Sequence, residues 1–273
     1  ILIEKSITMS SNNLSKFLNS KYAITTNSAT SALQVAYLAL ELSDGDILWT
    51  SPNTFVATAN AAIHCGASVD FVDIDPDTLN ININKLQEKL EIAKKNNRLP
   101  KIITCVHFAG QSCLMEEIYK LSLVYNFKIV EDASHAIGSS YKNYKTGSCK
   151  FSDISVFSFH PVKIITTGEG GAVTTNNSHL ADRMRMLTTH GIKKGFVEID
   201  SEKTNEIWNY EQLNLCFNYR INDIQAALGI SQLKKLNHFV KKRNIIANKY
   251  DSALKDLPIK LPFVHKDNLS SFH

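Results

Sequence analysis

A chain of 273 residues is long enough for one large domain and part of a second, and 44% hydrophobic with 21% charged residues is the balance of a globular protein with a substantial core. A net charge of +4, with no Lys or Arg cluster interleaved with aromatics, argues against a nucleic-acid groove; the densest basic run, Lys241-Lys242-Arg243, reads as the solvated face of a helix. No apolar run approaches the roughly 20 residues of a membrane span, and no signal peptide opens the chain. Cys65, Cys105, Cys113, Cys149 and Cys216 are odd in number and lack metal-ligand spacing, so they read as reduced thiols of a cytoplasmic protein. The ends, Ile1 and His273, read as cuts within a longer protein.

In chain order, a short strand at 22–25 meets small polar residues and then an apolar helix through Leu42, which Asn27 or Ser28 can cap. Its first turn, Ala29-Thr30-Ser31, has small side chains that leave N–H groups open to an anion. A capped helix that binds nothing would have the same composition. A strand at 47–50 follows, and Phe55 falls just beyond it at the start of a helix over 56–65. That ring belongs either to the core or to a face on which a planar group stacks. A third strand is expected at 67–74, then an amphipathic helix at about 84–96 with Leu86, Leu90 and Ala93 on one side.

A buried strand at 102–107 and a turn at 108–111 precede a helix at 115–125. The next strand, from Lys128, carries Glu131, Asp132 and His135 at its carboxyl end. A lone carboxylate there is as often a helix cap as a ligand. Strands alternating with helices at this spacing predict an α/β fold: a mostly parallel sheet with helices on both faces, which binds ligands beyond the carboxyl ends of its strands.

The central stretch starts with an apolar strand at 154–159 that His160-Pro161 should end, because proline brings no N–H to a ladder. Lys163 follows among Val162, Ile164 and Ile165, before Gly168, Gly170 and Gly171 and a second short strand at 172–175. A lysine held between buried strands loses solvation, which lowers its pKa and frees the lone pair for a Schiff base. On an exposed hairpin turn it would gain no such property. Beyond lie a helix at 179–190, a polar stretch at 193–212 read as a surface loop or an excursion towards a partner, and a basic amphipathic helix running from 217 to about 254. The length of that helix suggests a connection between two domains.

Pyridoxal 5′-phosphate (PLP) needs four of these features at once. Its phosphate needs open N–H groups, its ring a stacking face, its pyridine nitrogen a carboxylate and its aldehyde an amine.

These residues also carry a resemblance. Asn27–Leu33, Thr54–Asn60, Glu131–Ala136, Ser158–Lys163, Thr167–Gly171, His190-Gly191 and Asn218–Arg220 run in the order of the matching motifs of the DegT/DnrJ/EryC1/StrS family of PLP-dependent sugar aminotransferases. The resemblance implies an aspartate-aminotransferase-like fold (fold type I), with a large PLP-binding domain at 1–230 and a connecting helix plus the start of a truncated C-terminal domain at 231–273. It implies Lys163 as the catalytic Schiff-base lysine, Asp132 as the pyridinium partner and His135 beside the cofactor's 3-oxygen. Ser158 with the backbone of Ala29 and Thr30 would hold the phosphate, and Phe55 would stack on the ring. Asn218, with Arg220 as runner-up, would reach the phosphate of a second subunit in a homodimer with shared sites. The Ser158-Phe159-His160-Pro161-Val162-Lys163 run is most similar to the branch that aminates C4 of nucleotide-linked 4-keto-6-deoxy sugars for cell-surface glycans, on the route to pseudaminic acid, with glutamate as donor. A PLP-dependent sugar dehydratase and a non-catalytic homologue of the same fold are the alternatives; Lys163 argues against dehydratases of the subgroup that carries His at that position.

Overall fold

The computed structural model describes residues 3–194, 197–199, 202–204 and 210–273. The chain begins with α1 (Ile3–Leu18), β1 (Tyr22–Thr26), α2 (Ala29–Ala39), β2 (Ile47–Thr50), α3 (Ala57–His64), β3 (Ser68–Phe71) and α4 (Ile83–Lys95). It continues through β4 (Ile102–Val106), α5 (Met115–Tyr125), β5 (Lys128–Asp132), β6 (Ser140–Tyr141), β7 (Tyr144–Lys145), β8 (Ile154–Ser158), β9 (Gly171–Thr175) and α6 (Ser178–Leu187). The short strands β10 (Ile192–Lys194), β11 (Val197–Ile199), β12 (Glu202–Thr204) and β13 (Tyr210–Gln212) come next, then α7 (Asp223–Leu233), α8 (Leu236–Leu254) and β14 (Asn268–Leu269).

Seven strands form the central sheet in the order β1-β9-β8-β5-β4-β2-β3. Only β9 runs against its neighbours; the β8-β5-β4-β2-β3 pairs are all parallel. Strands β4, β8 and β9 are buried at every residue, the pattern of strands covered on both faces. Successive side chains of β4 show why. Ile102 packs with Leu33, Ala36 and Ala61 from α2 and α3, whereas Ile103 packs with Leu86, Leu90 and Ile118 from α4 and α5. A third cluster joins Leu14 and Leu18 of α1 to Phe157, Leu236 and Val240. Each such fully buried side chain contributes about 1.5–3 kcal/mol relative to exposure. Side-chain oxygens cap the helices where the sequence supplies them: Ser28 accepts from the Ser31 N–H and Asn82 from the Lys85 N–H, while Asn222 and Gln225 form a reciprocal capping box.

Several expectations need correction. The helix expected from 217 to 254 is two helices, because it starts only at the Asn222 cap and breaks at Lys234-Lys235. Residues ahead of that cap are extended instead, with Asn218 bridged to Thr189 and Arg220 to Thr26. The third strand stops at Phe71 rather than 74; Ile74 makes an isolated bridge to Ile81. In the polar stretch at 193–212, β10 pairs with β13 and β11 with β12, and the rest lies outside the described residues. Helix α1 and the small β14-β6-β7 sheet had no counterpart in the sequence reading.

Candidate active site

The carboxyl ends of β1, β2, β4, β5 and β8 open on one cavity of about 320 Å³. Ala29, Thr30, Phe55, Asp132, His135, Ser158 and Lys163 all line it, so seven of the eight residues singled out from the sequence converge from positions spread over 135 residues. Asn218 does not line the cavity and is exposed, although its carbonyl accepts from Asn27 Nδ2 one residue before the α2 cap.

The N-terminus of α2 forms one wall. Ser28 is extended (φ −162°) and its hydroxyl is committed to the Ser31 N–H, at 3.1 Å. The Ala29 and Thr30 N–H groups, in the first turn, have no partner within the helix and lie at the cavity. They form an anion seat, opposite the buried Ser158. The seat depends on Gly171, since a Cβ there would lie 2.5 Å from Ser28 C and O and 2.7 Å from the Ala29 nitrogen. Glycine lets β9 pass directly beneath the helix start.

Asp132 ends β5 and is 5% exposed. One carboxylate oxygen accepts from the Thr58 hydroxyl at 2.7 Å, and the other from the Ser134 N–H at 3.1 Å. Thr58 is itself fixed: its hydroxyl lies 2.8 Å from that of Thr54, and the Tyr37 hydroxyl donates to its carbonyl at 3.1 Å. The carboxylate therefore has a set orientation with acceptor capacity left over. On its far side, Glu131 faces the other layer, where burial opposes its charge. His107, Ser152 and Ser155 donate to it and hold its pKa below the usual carboxylate range.

Lys163 lies in the connection between β8 and β9, in a turn where its N–H donates to the His160 carbonyl at 2.9 Å. Burial lowers the pKa of its half-buried amine, while Asp132 pulls the other way. His135 is pushed down to about 4, by burial first and then by the Lys163 charge, against the opposing effect of Asp132. Its Nδ1 is buried with no hydrogen-bond partner among the described residues. Phe55 lines the cavity yet remains 72% exposed, so it is an aromatic at the cavity rim and not a core residue. His160 and Glu169 face each other at 3.7 Å across the mouth.

Thr58 was not singled out from the sequence. The signal available was a threonine in the first turn of an otherwise apolar helix, Ala57–His64, just beyond a strand end, with a second threonine, Thr54, ahead of it. His273 was also missed, and it reaches Lys163 across 110 residues of chain, a separation that leaves no local pattern.

An anion seat, an oriented buried carboxylate, an exposed aromatic face and a lysine of lowered pKa in one cavity fit PLP. Together with the sheet order they place the protein in the aspartate-aminotransferase class of α/β folds. The profile of the DegT/DnrJ/EryC1/StrS aminotransferase family matches residues 7–273, and the chain belongs to that family. It is 45% identical over 245 residues to a UDP-4-amino-4,6-dideoxy-N-acetyl-beta-L-altrosamine transaminase of Campylobacter jejuni subsp. jejuni serotype O:2, covering 90% of this chain and 61% of that protein. It is 39% identical over 258 residues to the spore coat polysaccharide biosynthesis protein SpsC of Bacillus subtilis, covering 94% and 64%. The solved structure of Helicobacter pylori PseC, an aminotransferase involved in the biosynthesis of pseudoaminic acid, superposes with a TM-score of 0.82 at 37% identity over 93% of this chain and 64% of that one. The chain thus spans about three-fifths of the length of the curated Campylobacter relatives.

Proposed function

We propose that this chain is the cofactor-binding part of a PLP-dependent aminotransferase. In this reading it moves an amino group from an amino acid to C4 of a nucleotide-linked 4-keto-6-deoxy sugar for cell-surface glycan synthesis. The observation that carries the reading is the half-buried Lys163, its pKa lowered, in the same cavity as the oriented carboxylate of Asp132 and the open end of α2. The sugar class rests on the 45% identity to the Campylobacter transaminase, and glutamate is the donor the family resemblance implies.

Bound PLP supplies an aldehyde that condenses with amines and a ring that accepts the electron pair of a breaking C–H bond. The chain's residues do the rest. The Ala29 and Thr30 N–H groups and the Ser158 hydroxyl would bind the phosphate, and Phe55 would cover one ring face. Asp132, held by Thr58 and the Ser134 N–H, would accept from the protonated ring nitrogen and keep that proton in place. His135, neutral at working pH, would stand beside the ring oxygen, as the family resemblance implies. Lys163, as a free amine, would serve as the base that takes the donor's Cα proton and passes it to the cofactor within the same half of the cycle, and in the other half would deliver a proton to C4 of the sugar.

The active form is a homodimer with shared sites in this proposal. Support comes from the exposed Leu215 (89%), Phe217 and Ile224, which flank Asn218 as an apolar surface suited to a second copy. Asn218 would reach the partner's phosphate from there. The cytoplasm suits five free cysteines, four of them buried. No helix among the described residues is long and apolar enough to cross a membrane.

The test is spectroscopic. Adding PLP to the purified chain should give a visible band that borohydride traps on the Lys163 peptide, and Lys163→Ala should abolish both. Glutamate should then remove the band in wild type. A folded wild-type chain with no band and no trapped peptide would refute the proposal.

A further inference from the structure

We propose that His273 is a positioning residue for Lys163, its Nε2 taking the hydrogen bond of the lysine amine and fixing where that amine stands in the cavity. The proposal deepens the aminotransferase reading and rests on it for its catalytic purpose.

His273 Nε2 lies 3.5 Å from Lys163 Nζ, at the long end of hydrogen-bond range. Its ring stacks on His135 with centroids 4.2 Å apart and planes tilted by 30°. Phe108 meets His135 edge-on at 6.1 Å, so three rings form a ladder that ends beside the lysine.

The backbone delivers His273 to this place with several independent ties. Its N–H donates to the Ala109 carbonyl at 3.0 Å, and the Ser271 N–H to that of Gly110 at 3.1 Å. The Ser271 hydroxyl donates to the His135 carbonyl at 2.9 Å, and Arg243 donates to the Phe272 carbonyl at 2.6 Å. Phe272 is held at φ +48°, a left-handed conformation that a bulky residue adopts only when its surroundings impose it. Gly110 makes the approach possible, because a Cβ there would lie 2.5 Å from Ser271 Oγ and 2.8 Å from the Phe272 nitrogen.

Packing alone does not account for an imidazole here. His273 Nδ1 is buried with no partner among the described residues, a penalty that an apolar ring of similar size would avoid. The gain lies at the other nitrogen. The ammonium form of Lys163 can only donate, so in that form the contact assigns the Nε2 lone pair as acceptor and places the ring proton on Nδ1. The charged or titratable groups facing this pair are Asp132 at the end of β5, His135 after it, and Arg243 on α8. Asp132 favours the ammonium form of Lys163, and burial of both rings keeps them neutral beside it.

The test uses the cofactor-free chain, so its failure is separate from failure of the cofactor reading. Lys163 is labelled with trinitrobenzenesulfonate across a pH series, and the Lys163 peptide is quantified by mass spectrometry. Wild type is compared with His273→Phe, which keeps the stack and loses the acceptor, and with His273→Gln, which keeps an acceptor oxygen. Removing the acceptor leaves the ammonium buried but less compensated. The labelling midpoint of His273→Phe should therefore move down by about one pH unit, a roughly tenfold faster reaction below the midpoint. His273→Gln should stay within about twofold of wild type. Wild-type labelling in both variants would make His273 a packing residue and overturn the proposal. An equal change in both would also overturn it, since it would report loosening of the 270–273 segment and not loss of an acceptor.

Discussion

The most direct test of the site's construction is Thr58→Val, which removes the hydroxyl held 2.7 Å from Asp132 and keeps the side chain's shape. Thr58 is fully buried and Asp132 is 5% exposed, so water does not replace the lost donor. A hydrogen bond to a charged group contributes about 1.5–3 kcal/mol, and the remaining donor to the carboxylate is the Ser134 N–H on its other oxygen. With a urea m-value of about 3 kcal/mol/M for a chain of this size, the unfolding midpoint should fall by about 0.5–1 M. Thr58→Ser keeps the hydroxyl and should restore most of that loss. The charge dependence separates this bond from general repacking. In an Asp132→Asn background the same Thr58→Val change should cost about half as much, because a neutral acceptor makes a weaker bond. If Thr58→Val costs under ~0.5 kcal/mol, or costs the same in both backgrounds, Thr58 is not what orients the carboxylate.

Two further outcomes follow from the same geometry. Gly171→Ala places a methyl against Ser28 and Ala29 and should destabilise the chain by about 1–3 kcal/mol in urea titrations. It should also weaken PLP binding, read by fluorescence quenching, more than Gly45→Ala does, a glycine whose added Cβ would meet nothing within 4 Å. The second outcome concerns pH. Folding lowers His135 and His273 to about 4, chiefly by burial, with Lys163 pressing on both and Arg243 on His273. Between roughly pH 6.5 and 4 the unfolded chain binds more protons at these rings than the folded one, so stability should rise with pH. That contribution is complete above pH ~6.5 and lost as pH falls towards 4. The melting temperature of His135→Phe should fall less steeply than that of wild type between pH 7 and 4.5, and equal slopes would show that the ring's neutrality does not matter to folding.

The parts of the site that were legible in the sequence are those whose chemistry is local. Lys163 stands out because it is a lone charge among Val162, Ile164 and Ile165, and Asp132 because it closes an apolar strand. The α2 seat is visible as small residues after a cap. In each case a neighbour in sequence creates the environment. The helix that was expected from 217 to 254 failed for the opposite reason. Its periodicity is continuous, but the Asn222–Gln225 capping box and the bridges at Asn218 and Arg220 outweigh it. The pairing partners of those bridges, Thr189 and Thr26, are too distant to be read.

The same distinction separates a residue that does chemistry from one that holds it in place. Lys163 and Asp132 carry functional groups whose type is diagnostic wherever they occur. Thr58 and His273 act only through the atoms they touch, 74 and 110 residues away in sequence. A threonine in an apolar helix and a histidine after two serines have ordinary explanations until the fold brings them to a carboxylate and an amine. Gly110 makes the point most sharply. Nothing in Phe108-Ala109-Gly110-Gln111 foretells the 270–273 segment crossing it, yet a single Cβ there would displace the segment that carries His273. The orientation of the proposed catalytic groups is therefore a property of long-range packing, and the variants that best probe it are the ones that leave Lys163 and Asp132 themselves untouched.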